Sequence, residues 1–200
     1  AFAKGGGHVL VTFKSGFTNE WNTVRSSRAP GPLREAAGVS YQEFSTLREP
    51  LPLRGDPFKA FPENRASVWA DMLLPETATP LAFYDHPFFG KYPALTRNAW
   101  GKGTVTYQAS VLTDALQEKV VADVLKQAGI TPEAGLPAKV RMRQGVARDG
   151  KALRFYLNFS GEPQSFAYGH GAGTELLSRK PLAAGERVTL GPWDLAVVRE

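Results

Sequence analysis

Residues Gly5–Arg34 read GGGHVLVTFKSGFTNEWNTVRSSRAPGPLR, and the fold is judged from this stretch outward. Three glycines, Gly5–Gly7, lead directly into a short apolar strand, His8–Phe13. Glycine before a strand marks a helix end, because only glycine takes the left-handed cap conformation without steric cost. Val9, Leu10 and Val11 are consecutive and apolar, so the strand seeks burial on both faces, the pattern of a central parallel strand. A helix should feed such a strand, yet only Ala1–Lys4 precede the glycines. The chain is therefore expected to begin inside a domain, as a piece of something larger.

Working outward, Phe17–Arg28 is a polar loop carrying isolated aromatics at Phe17 and Trp21. Pro32–Ala37 predicts a short helix, with proline near its start and Gly38 behind it. Val39–Phe44 suggests a strand. Pro50, Pro52, Pro57 and Pro62 punctuate Thr46–Asn64, which excludes a long helix or a central strand there and predicts a surface excursion. Apolar content returns at Ser67–Leu74 and Thr79–Tyr84. Pro93–Asn98 and Thr104–Ala109 flank Trp100-Gly-Lys-Gly103, a hairpin signal. The clearest helix is Asp114–Ala128. Leu116, Val120 and Val124 recur at every fourth position, Thr113 stands as N-cap and Gly129 follows the last turn.

Thr131–Pro137 has linker composition, and beyond it the pattern is strands alone. Segments 139–147 and 152–159 flank the turn Arg148-Asp-Gly-Lys151, and strands follow at 164–168, 173–177, 187–190 and 195–199. Six short strands at this spacing predict a small antiparallel sandwich.

Composition narrows the classes. No apolar run approaches the ~18 residues of a membrane helix. The net charge is +5, but the basic residues are scattered among acidic ones, which argues for a charged surface and against a nucleic-acid footprint. The chain holds no cysteine, so disulfides, thiolate metal sites and a cysteine nucleophile are excluded within it. His8, His86 and His170 match no metal-ligand spacing. No metal or cofactor is expected.

GGGHVLVTFKSG, Asn19-Glu-Trp-Asn22 and Pro30-Gly-Pro-Leu-Arg34 with Glu35-Ala-Ala-Gly-Val39 together resemble the trimerisation domain of the glycoside hydrolase family 42 β-galactosidases. Trp69-Ala-Asp71, Pro93–Asn98 leading into Gly101-Lys-Gly103, and Phe155–Ser160 extend the resemblance over nearly the whole chain. It implies a class I glutamine amidotransferase-like or flavodoxin-like three-layer α/β domain, N-terminally truncated, over residues 1–134. A small antiparallel β-sandwich would follow over 135–200. It further implies a parent enzyme that hydrolyses terminal β-D-galactosides with retention and assembles as a homotrimer. Its substrate would be bound mainly by a separate barrel carrying two catalytic glutamates, leaving this chain inactive alone and devoted to oligomerisation. The amidotransferase Cys-His-Glu triad is out of reach without cysteine.

Asn19-Glu20 resembles the dipeptide that carries the acid/base carboxylate in many retaining glycosidases, which need two carboxylates about 5–5.5 Å apart. The chain is too short for the ~250-residue barrel that positions such a pair, so a loop carboxylate is the better reading of Glu20. Phe17, Glu20, Trp21, Phe88 and Phe89 are candidate subunit-contact residues, since polar loops rarely spend large aromatics on solvent. His86 sits in the aromatic loop Tyr84–Phe89, open either to loop packing or to contact with a sugar or another chain. Trp100, Trp193 and Tyr168 could stack on sugar rings in a free-standing carbohydrate-binding module, but core or interface burial suits them better. Asn158-Phe-Ser160 matches a glycosylation sequon.

Overall fold

The computed structural model describes residues 1–131 and 135–200 and divides into two compact units, Ala1–Thr131 and Pro132–Glu200. The centre of the predicted linker, residues 132–134, lies outside the described residues.

In the first unit, the strands are β1 (His8–Thr12), β2 (Val39–Ser40), β3 (Phe44–Arg54), β4 (Arg65–Asp71), β5 (Leu74–Pro75), β6 (Thr79–Tyr84), β7 (Pro93–Trp100), β8 (Gly103–Gln108) and β9 (Ser110–Leu112). The helices are α1 (Arg34–Ala37) and α2 (Asp114–Gln127). Seven strands form one sheet in the order β1-β8-β7-β6-β3-β4-β9. Only Ala109 separates β8 from β9, and β9 pairs with β4 at the far end of that order. The sheet thus returns upon itself as a nearly closed barrel, with its weakest seam at β3–β6, where only Leu53 and Arg54 pair. Register shifts between Leu47 and Leu51 and between Ser67 and Ala70 mark bulges in β3 and β4, the usual device for bending a sheet toward closure.

This overturns the three-layer α/β expectation. The molecule is 44% strand and 12% helix. A doubly wound sheet needs repeated crossover helices between parallel strands. Here β1–β8 is the one parallel pair among the described residues, and β7–β8, β3–β4 and β6–β7 are antiparallel neighbours joined directly. β1 is also an edge strand, not a central one. Its apolar run is satisfied because Leu10 packs on one hydrophobic cluster while Val9 and Val11 pack on another.

A second correction concerns the prolines. β3 runs for eleven residues through Pro50 and Pro52, inside the predicted excursion. Pro50 falls at the bulge, where no β6 partner faces it, and Pro52 sits at the margin of the β3–β6 pairing, where its carbonyl accepts from Asp85 N at 2.9 Å.

Local signals set the rest. A 3₁₀ turn at Ala3–Gly5 ends on Gly6 in the left-handed region (φ 115°), whose N–H donates to Ala3 O. Gly38 (φ 64°) caps α1, and a Cβ there would meet Asn98 and Thr77 at 2.5–2.7 Å. Asn98 holds this corner through Nδ2 to Ala36 O at 2.9 Å. Helix α2 buries Leu116 and Val120. Thr113 is its N-cap by position, but the hydroxyl donates to Glu63 O instead of capping. Arg97 bridges β7 to α2 through Asp123 at 2.6 Å.

The second unit holds β10 (Val140–Val146), β11 (Ala152–Asn158), β12 (Gln164–Ala167), β13 (Gly173–Glu175), β14 (Lys180–Leu182), β15 (Arg187–Leu190) and β16 (Leu195–Arg199). Five form a sheet, β10-β11-β16-β13-β14, and β12–β15 is a separate ribbon; every pairing is antiparallel. Val140, Tyr156, Phe166, Tyr168, Leu190 and Val198 build its core. β14, around Pro181, falls outside the strands that the sequence predicts; it is an edge strand, where proline is tolerated.

Tyr168 is fully buried in that core, and its hydroxyl donates to Glu200 at 2.6 Å, a carboxylate also gripped by Arg154. Replacing Tyr168 by Phe should cost about 2 kcal/mol, the scale for one hydrogen bond to a charged group. Urea denaturation of the intact protein measures it, and an unchanged midpoint would contradict this role.

Candidate subunit-contact surface

Three groups of candidate side chains stand out, all in the first unit. The first is a finger, residues 17–25. Thr18 and Val24 pair as an isolated bridge, and Arg25 N donates to Phe17 O at 3.0 Å. Asn19 stiffens the tip: its Oδ1 accepts from Trp21 N and Thr23 N, both at 3.0 Å. The Asn19-Glu20 dipeptide is therefore a turn element. Its asparagine is spent on backbone amides, and Glu20 projects into solvent without a hydrogen bond or ion pair among the described residues. Trp21 is 80% exposed.

The second group is a buried polar network behind that finger. Trp69 and Asp71 lie two apart on β4 and so on one face. The Trp69 indole donates to Asp71 Oδ1 at 2.7 Å, and Tyr107 O–H donates to Oδ2 at 3.3 Å. Asp71 is wholly buried, which pushes its carboxyl up to about 6, against the opposing pull of Trp69, Tyr107 and Lys14. The same burial, with the Asp71 charge beside it, pushes Tyr41 up to about 12 and Tyr107 well above the usual phenol range. Outside this network Lys14 Nζ lies 3.7 Å from the Trp69 ring centre, and Phe44 stacks on the same indole at 4.4 Å. None of these stands among the candidate site residues of the sequence. The signal was present in Trp69-Ala-Asp71, a donor and a carboxylate at same-face spacing.

The third group is the loop after β6. His86 Nδ1 accepts from Phe88 N at 3.1 Å and Phe89 N at 3.2 Å, and its ring stacks on Phe89 at 4.3 Å. Phe89 packs inward on the core while Phe88 is left 77% exposed. His86 is thus the loop's own scaffold. The proposed contact residues part company: Trp21, Glu20 and Phe88 project outward, Phe89 is half-buried, and Phe17 lies edge to face against Phe44 at 6.0 Å.

The remaining candidates resolve locally. His8 Nδ1 lies 2.8 Å from Thr104 Oγ1. Trp100 is half-buried under Lys4, Tyr168 is core, and Trp193 is exposed at φ 55°. The amide of Asn158 is buried and donates to Glu162 O and Gly191 O while accepting from Ser160, so the sequon serves the fold. Among the described residues no three His, Cys, Asp or Glu side chains are grouped to hold a metal ion. No helix among them is long and apolar enough to cross a membrane.

Comparison with known proteins decides what these surfaces belong to. The family model of the β-galactosidase trimerisation domain matches residues 1–131, and that of the β-galactosidase C-terminal domain matches residues 139–200. The chain belongs to the glycoside hydrolase family 42 β-galactosidases. It is 32% identical over 190 residues to a β-galactosidase of an Arthrobacter species, covering 94% of this chain and 25% of that protein. It is also 32% identical over 176 residues to β-galactosidase BglY of Alicyclobacillus acidocaldarius, covering 84% of this chain and 25% of BglY. The crystal structure of the β-galactosidase from Bacillus circulans sp. alkalophilus shares the fold over 100% of this chain and 30% of that one, with a TM-score of 0.83 at 24% identity. The chain thus spans about a quarter of the length of its curated family 42 relatives and corresponds to their C-terminal part.

Proposed function

We propose that this chain is the non-catalytic assembly and C-terminal portion of a β-galactosidase that hydrolyses terminal β-D-galactosides with retention. In this reading it holds a homotrimer together through the first unit. The observation that carries the proposal is the end-to-end match to a trimerisation domain followed by a C-terminal domain, in a chain a quarter as long as the relatives. The surface supports it. Trp21 and Phe88 are large aromatics held on hydrogen-bonded loops, and a rigid exposed aromatic is the usual anchor of a protein contact. Glu20, Phe17 and Phe89 flank those anchors and are assigned to the same contacts.

Two measurements test this. The 200-residue chain, assayed alone against a chromogenic β-galactoside, should show no hydrolysis above buffer; turnover would refute the non-catalytic assignment. Light scattering of the intact gene product should give three times the protomer mass, and Phe88→Ala should weaken that assembly by about tenfold if Phe88 is an anchor worth ~1.4 kcal/mol. A monomeric intact protein at micromolar concentration would refute the assembly role.

A further inference from the structure

Beside the base of the finger the surface opens into a cavity of about 310 Å³ whose walls include Phe17, Val24, Arg25, Arg28, Tyr41 and Phe44. Phe17 and Phe44 give it an aromatic side. Arg25 is held at its rim by Nε–H to Thr18 O at 3.1 Å. Arg28 is exposed and makes no ion pair among the described residues; Glu76, whose charge it feels, is already bound by Arg34 at 2.7 Å. Trp21 does not line this cavity.

The tip of the finger therefore presents an unfilled need and the cavity presents its complement. The tip carries a bare indole and a bare carboxylate, Glu20. The cavity carries an aromatic wall and two guanidinium groups. Both belong to one chain yet do not meet within it, which is the condition for a head-to-tail contact between copies. The finger's backbone bonds hold Trp21 in place beforehand, so docking costs little loop entropy.

We propose that Glu20 and Trp21 of one copy seat in the Phe17–Phe44–Arg28 cavity of the next, a heterologous contact that a ring of three closes. The inference rests on the assembly reading above and adds which surface meets which. The carboxylate pairs with Arg28, and the indole packs on the aromatic wall.

The test is a charge swap in the intact protein, followed by light scattering across a dilution series. Glu20→Arg and Arg28→Glu should each weaken assembly by tenfold or more, and the double variant should regain most of the loss. Trp21→Ala should weaken it about thirtyfold, the scale of an aromatic anchor. All these side chains are exposed, so circular dichroism should be unchanged and loss of assembly is not loss of fold. A wild-type trimer with unaffected single variants overturns this pairing and leaves the assembly role standing. Losses in both single variants without recovery in the double also overturn it. A monomeric wild type overturns both.

Discussion

Gly103→Ala is expected to destabilise the first unit by about 3 kcal/mol, at the upper end for overpacking. A Cβ at Gly103 would meet Gly7 O at 1.9 Å and Ala3 O at 2.6 Å. Neither atom can yield as a side-chain tip would. Both are main-chain carbonyls, in the turn that feeds β1 and in the 3₁₀ turn before it, and Thr104 N donates to Gly7 O at 3.2 Å. The substitution therefore pushes apart the parallel pairing of His8–Thr12 on Gly103–Gln108. The melting temperature should fall by roughly 10 °C. Gly5→Ala is the matched control: nothing lies within 4 Å of its added Cβ and its φ is not left-handed. It should be neutral or slightly stabilising. Equal effects from the two glycines would show that the β1–β8 approach is looser than the structure has it.

The second large effect is a pH dependence seated at Asp71. Its carboxyl keeps its proton up to about pH 6 in the folded protein, against 3.8 for an ordinary aspartate. Between those values the folded chain binds more protons than the unfolded one. The stability from this group is therefore fully present below about pH 3.8 and lost as pH rises through 6. The loss should come to about 2 kcal/mol, the scale set by 1.36 kcal/mol per pKa unit after some solvent screening. Asp71→Asn keeps an oxygen for the Trp69 indole and removes the titration. The stability of the wild type relative to the variant, from urea denaturation, should drop by about 2 kcal/mol between pH 4 and pH 8. A constant difference would mean that Asp71 ionises normally in the folded state.

The elements legible in the sequence are those whose causes lie within a few residues. Gly6 and Gly38 sit at left-handed caps, β7–β8 turns at Gly101-Lys102, β10–β11 turns at Asp149-Gly150, and α2 carries its own apolar stripe through Leu116 and Val120. Where a residue's fate depends on distant partners, local pattern misleads. Thr113 looks like a cap and bonds Glu63 instead, fifty residues away. Asn19-Glu20 looks like a catalytic dipeptide and is a turn. Pro50 and Pro52 look incompatible with a long strand, yet they lie on one because Pro50 falls at a bulge and Pro52 at the margin of the β3–β6 pairing. Of the candidate surface, Trp21 and Phe88 stand out in the sequence as large aromatics in polar loops, and both are exposed in the structure. The cavity at the base of the finger does not stand out in the sequence, because its walls come from three separate stretches of chain.

From the order of residues alone follow the family, through motifs spread along the chain, and the local turns and helices, through glycine, proline and apolar spacing that act over one to four residues. The barrel closure, the burial of Asp71 and the separation of finger tip from cavity arise only in three dimensions. Each depends on which strands lie side by side. β8 runs on into β9 and meets β4, which leads round to β3, and no short-range preference encodes a pairing between residues forty positions apart.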